Sequence, residues 1–299
     1  MIDSSFLSEL QHTLQKISHN QGISKPGLCL IGTPIGNLAD MTLRGLAALN
    51  TVDILFCEDT RVTATLLKAY GLSKPLESYH AHNARRVGEK IIQLILSGKT
   101  VGLVSDAGLP LISDPGFDLV SLCIQKDIPI TLFPGPSASL SALVLSGLST
   151  DQFHFIGFLP LKEKESEECL NTVQSLATTL IFYEAPHRLL KTLERLQKIL
   201  GNRQAVVARE LTKKFEEFQR DTLSNLMEYY RKNSPKGEIV ILVEGRGEAR
   251  SEPHKTGQLL EMALKSLHVK EATNFVSLMT GESRKDLYAR ALKLQEKKE

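Results

Sequence analysis

Tryptophan is absent from this 299-residue chain, aromatic residues of all kinds make up 6% of it, and there are four cysteines. These four, Cys29, Cys57, Cys123 and Cys169, are widely spaced and form no CxxC pair. Three of them sit in apolar runs (LCLIG, ILFCE, LVSLCIQ), where a thiol behaves as a small buried hydrophobe. Neither a disulfide framework nor a zinc cluster is expected, and a reducing cytoplasmic setting is. No apolar run approaches the ~20 residues of a membrane span, so no membrane partner is expected. The opening MIDSSFLSELQHTLQKISHN lacks the basic start and apolar centre of a secretory signal. One-sided charge is missing too: 36 Lys and Arg against 34 Asp and Glu leave a formal charge of +2. That balance neither demands nor excludes a polyanionic partner, because local clustering decides.

What is present is enough apolar surface for a sizeable core, at 42% hydrophobic residues, and a length that suggests about two domains. Residues 1–26 read as an N-terminal arm, with Phe6, Leu10, Leu14 and Ile17 at helical spacing. Residues 27–148 read as an α/β domain. Its short apolar runs at 28–32, 53–58, 100–105 and 130–133, and a run ending at Tyr79, alternate with helical segments near 42–50, 64–70, 88–96 and 117–126. Buried strands alternating with helices predict a largely parallel sheet covered on both faces. Residues 134–148 read as a loop feeding a buried helix. A second α/β domain spans 149–247, with strands at 153–158, 179–184, 205–210, 215–220 and 238–244 and helices notably at 189–199 and 223–231. Its mixed spacings predict a mixed sheet. Residues 248–299 read as a linker and a small helical domain, with helices near 258–266, 270–279 and 284–295.

Unusual residues crowd onto strand ends. Gly32-Thr33-Pro34-Ile35-Gly36 follows the first strand, and its glycines and proline permit a tight turn close to a ligand. It is neither a GxGxxG nor a Walker loop, so the fingerprint of a doubly wound nucleotide-binding enzyme is missing. Ser105-Asp106-Ala107-Gly108 follows the strongest strand, at the place where open parallel sheets bind ligands. Asp106 is read as a ligand contact and Asp114 as a helix cap. Ser137, in Pro134-Gly135-Pro136-Ser137, stands at a helix start where capping and ligand contact are compatible. Glu58-Asp59-Thr60-Arg61 reads either as a structural ion-pair turn or as a reactive site. His80 and His82 lack a third ligand, so no metal site is expected. Cations beside Glu184 and Glu210, among them Arg188 and Lys213, sit where a polyanion could lie.

GTPIGNLAD, CEDTR, SDAGLPLISDPG, PGPSA, LIFYEAPHR, ARELTK and KGEIVILVEG occur in this order over about residues 28–247. In that combination the chain resembles the ribosomal RNA small subunit methyltransferase I family. These are tetrapyrrole methylases, the class III S-adenosylmethionine-dependent enzymes. The resemblance implies two α/β domains of the tetrapyrrole methylase fold, with S-adenosyl-L-methionine in the cleft between them. It implies a homodimer and 2′-O-methylation of a cytidine ribose in the decoding region of 16S rRNA, within the small ribosomal subunit. It places Pro34, Ser105, Asp106, Ala107, Gly108 and Ser137 in the first-domain wall of the cofactor cleft, and Tyr183, Ala208 and Gly237 in the second. Two departures stand out. Leu109 replaces the usual Thr, and Ala84 replaces the acid that often follows the His-Asn pair.

Methyl transfer is an in-line displacement, so alignment is the protein's main task, and a ribose hydroxyl needs a base to take its proton. Glu58, Asp59, His80 and Glu210 are the candidates. The turn carrying Glu58, Asp59 and Arg61 is taken as the catalytic set. RNA contacts are expected from His80, His82, Asn83, Arg188 and Lys213. Further phosphate contacts are expected from Arg61, Arg85, Arg86, Lys214 and the basic C-terminal helices, at Lys265, Lys270, Arg284, Lys285 and Arg290. Any single lysine among them is more often part of a solvated face. Two other functions stay open at this point: a tetrapyrrole or other small-molecule methyltransferase of the same fold, and a noncatalytic RNA-binding factor.

Overall fold

The computed structural model describes residues 26–247, 253–280 and 282–296, with the single positions 9 and 13. The apolar face expected on the arm, Phe6, Leu10, Leu14 and Ile17, lies outside them. The first sheet contains β1 (Gly27–Ile31), β2 (Ile54–Cys57), β3 (Leu76–Ser78), β4 (Thr100–Leu103) and β5 (Ile130–Phe133) in the order β3-β2-β4-β1-β5. Every pairing in it is parallel.

Such a sheet must be covered on both faces, and the alternation along β1 does this. Cys29 and Ile31 join the core under α1 (Leu43–Thr51) and α2 (Thr60–Ala69). Leu28 faces the other way, into the core under α3 (Ala84–Leu96) and α4 (Phe117–Gln125). Cys29, Cys57 and Cys123 are all core residues, and burial pushes the Cys29 thiol up to about 11.

The second sheet contains β6 (Phe153–Phe158), β7 (Thr179–Glu184), β8 (Gln204–Arg209), β9 (Glu217–Thr222) and β10 (Ile239–Val243) in the order β6-β7-β10-β8-β9. It is mixed: β6 and β7 are parallel, and the other pairings are antiparallel. One face packs on α6 (Glu163–Val173), α7 (Leu189–Leu200) and α8 (Leu223–Lys232). The other face, with Ile181, Val206, Ala208, Val240 and Leu242, packs on Ala142 and Leu143 of α5 (Ala138–Ser146) and on Ile35. Thus α5 follows the first sheet in sequence but packs against the second. Arg220 of β9 holds its end, donating to the carbonyls of Leu145 and Ser146 at 2.6 and 3.1 Å.

Beyond residue 252, α9 (Pro253–Ala263), α10 (Val269–Thr280) and α11 (Arg284–Glu296) enclose a small core of Leu260, Val276, Leu287 and Ala291. No described helix is long and apolar enough to cross a membrane.

Candidate active site

The parallel strands of the first sheet present their carboxyl ends on one side, and three strand-end loops meet there. Thr33, after β1, exchanges backbone bonds with Gly108, after β4: each N–H donates to the other's carbonyl, at 2.9 and 3.1 Å. The Thr33 hydroxyl donates to the Ser105 carbonyl at 3.1 Å. The loop after β5 arrives at backbone contact, since a Cβ on Gly32 would lie 2.8 Å from the Gly135 backbone. Two of the converging loops carry strain. Leu111 and Ser113 have φ of 74° and 67°, and on the second domain Glu210 and Thr212 have φ of 54° and 64°. Each such non-glycine residue costs about 1–3 kcal/mol, and strain of this kind gathers where function fixes a loop.

Between these loops and the second sheet lies a cavity of about 380 Å³, within the about 300–1,000 Å³ of small-ligand sites. Its first-domain wall includes Ile35, Asp106, Ala107, Gly108, Leu109, Ile112, Asp114 and Ser137. Its second-domain wall includes Phe158, Tyr183, Glu184, Leu211, Gly237, Glu238 and Val240. Tyr183 stacks edge-on against Phe155 and Phe158, with centroids 4.9 and 5.6 Å apart. The lining contains four carboxylates and no Lys or Arg among the described residues. Two of the four are neutralised from behind. Glu184, 2% exposed, pairs with Arg188 at 3.2 Å, and Glu238 pairs with Lys213 at 2.9 Å. Asp106 and Asp114 have no cationic partner among the described residues, so the cavity favours a ligand with positive charge and a flat apolar part.

Asp106, Ala107, Gly108, Ser137, Tyr183 and Gly237 all line this cavity. Pro34, Ser105 and Ala208 are buried and stand behind the wall rather than in it. Ser137 caps α5 by accepting from the Leu140 N–H, and still faces the cavity. Asp106 accepts from the Asp59 N–H at 3.1 Å, which fixes the turn after β2 beside the loop after β4.

In that turn Asp59, expected as a base, is engaged by Arg61. Arg61 grips both Asp59 oxygens, at 2.6 and 3.0 Å, and Asp59 also accepts the Arg61 N–H as the cap of α2. The guanidinium bonds, then the backbone bond, hold its carboxyl down at about 2. Asp59 and Arg61 therefore form the structural ion-pair turn, while Glu58 is exposed beside them. Glu210 is likewise committed, accepting from Lys213 at 2.9 Å and from the Glu238 N–H at 3.0 Å.

The residues expected at RNA are divided. His82 is exposed, and its ring stands 5.9 Å from that of His80, whose Nδ1 is buried without a partner among the described residues. Asn83 is used by the turn itself, accepting from the His80 N–H and donating to the Ser78 carbonyl. Arg188, which also donates to the Leu159 carbonyl at 2.8 Å, and Lys213 are committed inside the protein rather than offered to a polyanion.

Asp114 corrects another expectation. The capping position of α4 is Gly116, with φ of 144° and no side-chain cap, and Asp114 faces the cavity instead. Burial, and then the nearby Glu58 carboxylate, raise its carboxyl to about 6. Phe158 and Leu211 were not singled out from the sequence. Phe158 ends a strand read only for its apolar run, and Leu211 lies in a motif read for its charges.

The profile of the Tetrapyrrole (Corrin/Porphyrin) Methylases matches residues 27–227, and that of the RsmI C-terminal HTH domain matches residues 251–295. The chain is 44% identical to ribosomal RNA small subunit methyltransferase I of Mesorhizobium japonicum over 275 residues, covering 91% of this chain and 93% of that one. It is 46% identical to the protein of the same name from Erythrobacter litoralis, over 93% of this chain and 98% of that one. Among solved structures it resembles uroporphyrin-III C-methyltransferase of Thermus thermophilus complexed with S-adenosylhomocysteine. That likeness has a TM-score of 0.53 and 16% identity, over 72% of this chain and 96% of that one. Fold, motif order and these similarities together place the chain in the ribosomal RNA small subunit methyltransferase I family, within the tetrapyrrole methylases.

Proposed function

We propose that the protein methylates ribosomal RNA of the small subunit, at the ribose 2′-oxygen of a cytidine, using S-adenosyl-L-methionine. The observation that carries the reading is the cavity's charge: carboxylates in its lining, Asp106 and Asp114 without cationic partners, and no Lys or Arg among the described residues. S-adenosyl-L-methionine has a sulfonium and an ammonium beside a flat adenine, which matches such a lining. The relatives' name and the S-adenosylhomocysteine complex of a fold neighbour support the same choice.

When bound, the cofactor supplies a methyl group already activated on sulfur. The chain must bind, orient and exclude water. Phe158 and Tyr183 offer an aromatic wall for the adenine. Asp106 and the Ser137 hydroxyl offer polar contacts, and Gly108 and Gly237 let the backbone approach closely. Pro34, Ser105 and Ala208 act by holding that wall in place.

Phosphate contacts fall to Arg85 and Arg86, exposed at the start of α3 next to His82 and without ion-pair partners among the described residues. Exposed Lys265, Lys270, Arg284 and Lys285 add charge on the C-terminal helices. The same reading takes the working form to be a cytoplasmic homodimer, which sedimentation would measure.

Nucleoside mass spectrometry tests the assignment on small subunits from cells lacking this gene. After incubation with the protein and S-adenosyl-L-methionine, a gain of 2′-O-methylcytidine is expected. A gain of a base-methylated nucleoside would replace the ribose assignment.

A further inference from the structure

Among the carboxylates around the cavity, three are unsuited to taking a proton. Asp59 is gripped by Arg61, Glu184 is held by Arg188 and Thr192, and Glu238 is held by Lys213. Glu58 is exposed and outside the cavity lining. Asp106 lines the cavity but accepts the Asp59 N–H, which anchors one loop to another. Asp114 also lines the cavity, is half-buried, and receives no hydrogen bond from a backbone N–H or a cation among the described residues. Its seat is rigid. Leu111 and Ser113 sit in the left-handed region, Pro115 follows, and a Cβ on Gly116 would lie 2.9 Å from the Leu111 side chain.

We propose that Asp114 is the proton acceptor for the substrate hydroxyl, held at the first-domain wall of the cavity by its strained loop. This assignment rests on the methyltransferase reading above. The hydroxyl proton passes to an Asp114 carboxylate oxygen, and the hydroxyl oxygen forms its bond to the methyl carbon. The carbon–sulfur bond breaks with its electron pair left on sulfur, and Asp114 then releases the proton to solvent. The groups facing Asp114 suit this use. Burial and the Glu58 and Asp106 carboxylates raise its carboxyl to about 6, while the Ser105 hydroxyl pulls the other way. An acceptor tuned near working pH is the effective one.

The test is the single-turnover methylation rate against pH, at saturating S-adenosyl-L-methionine, on small subunits lacking the modification. Wild type should gain rate with rising pH and level off as Asp114 ionises, with a midpoint below the value of about 6 in the unliganded protein because the bound cation favours the carboxylate. Asp114→Asn should lose ~10²–10⁴-fold, the usual contribution of a general base, and lose the pH-dependent rise as well. Asp114→Glu should recover part of the rate with a displaced profile. Cofactor titration and a thermal melt of each variant show that it is folded and loaded. A folded, loaded Asp114→Asn with wild-type rate, or one slowed with the wild-type profile intact, overturns the assignment. A wild type that binds the cofactor but methylates no subunit overturns the reading beneath it instead.

Discussion

Gly237 and Glu210 are matched: a Cβ on Gly237 would overlap Glu210 Oε1, the oxygen that accepts from Lys213 and from the Glu238 N–H. Gly237 also has φ of 85°, so a side chain there is strained before it meets anything. The two loops of the second-domain wall therefore interlock only if position 237 has no side chain. Gly237→Ala should destabilise by about 2–4 kcal/mol, from left-handed strain plus overpacking, and weaken cofactor binding. Gly247→Ala, with nothing within 4 Å of its Cβ, is the control. It should change the urea midpoint by no more than about 0.5 kcal/mol equivalent. Equal effects at both positions would contradict the interlock.

Arg188 is predicted to act on stability and not on RNA. Its guanidinium neutralises the buried Glu184, whose remaining partners are the Ala185 N–H and the Thr192 hydroxyl. Arg188→Leu leaves that carboxylate buried without a counter-charge, and should cost about 3 kcal/mol in denaturant unfolding. The salt dependence of RNA binding, measured on the fraction that stays folded, should be unchanged. A flatter salt slope with wild-type stability would return Arg188 to the RNA interface.

Much of this architecture was legible in the sequence where periodicity was strong. Phe153–Phe158, Thr179–Glu184 and Ile130–Phe133 are strands over the residues expected, because each is a bounded apolar or aromatic run. Helix α6 was not singled out because Leu170 and Val173 are its only buried apolar residues among many charges. Strand β9 begins two residues later than expected, since Phe215 is 66% exposed and lies in the preceding turn. The site was legible as loops but not as roles. Asp114 read as a cap because an acid before Pro-Gly and a helix has that local pattern; only the fold shows Gly116 in the capping place. Likewise, Glu184 and Glu210 stand four and three residues before Arg188 and Lys213, but only the fold shows each pair engaged, with Glu238 as the second acid on Lys213.

Arg85 and Arg86 carry the opposite expectation. Both are exposed and unpaired among the described residues, so replacing them by Gln should leave stability within about 0.5 kcal/mol. RNA binding should weaken, and the slope of log affinity against log salt should fall by about 1 for each phosphate that is no longer neutralised. Filter binding over a salt series measures it. An unaltered slope would remove α3 from the RNA interface.

Asp114 should also leave a mark on stability. A carboxyl raised from 3.8 to about 6 favours the protonated form in the folded state. Its stabilising contribution is full below about pH 4 and is lost as pH rises through about 6. Asp114→Asn is neutral throughout, so its melting temperature should approach that of wild type near pH 4 and exceed it near pH 8. A variant less stable than wild type at pH 8 would mean that the ionised carboxylate is a structural partner.

The most direct test of the central claim is methyl transfer from radiolabelled S-adenosyl-L-methionine to small ribosomal subunits from cells lacking this gene. The account predicts label in the subunit's RNA at a single alkali-resistant linkage on a cytidine ribose, lost when Asp106 and Asp114 are both replaced by Asn. Label that fails to enter the RNA although the cofactor binds, or label that enters a tetrapyrrole instead, would contradict it.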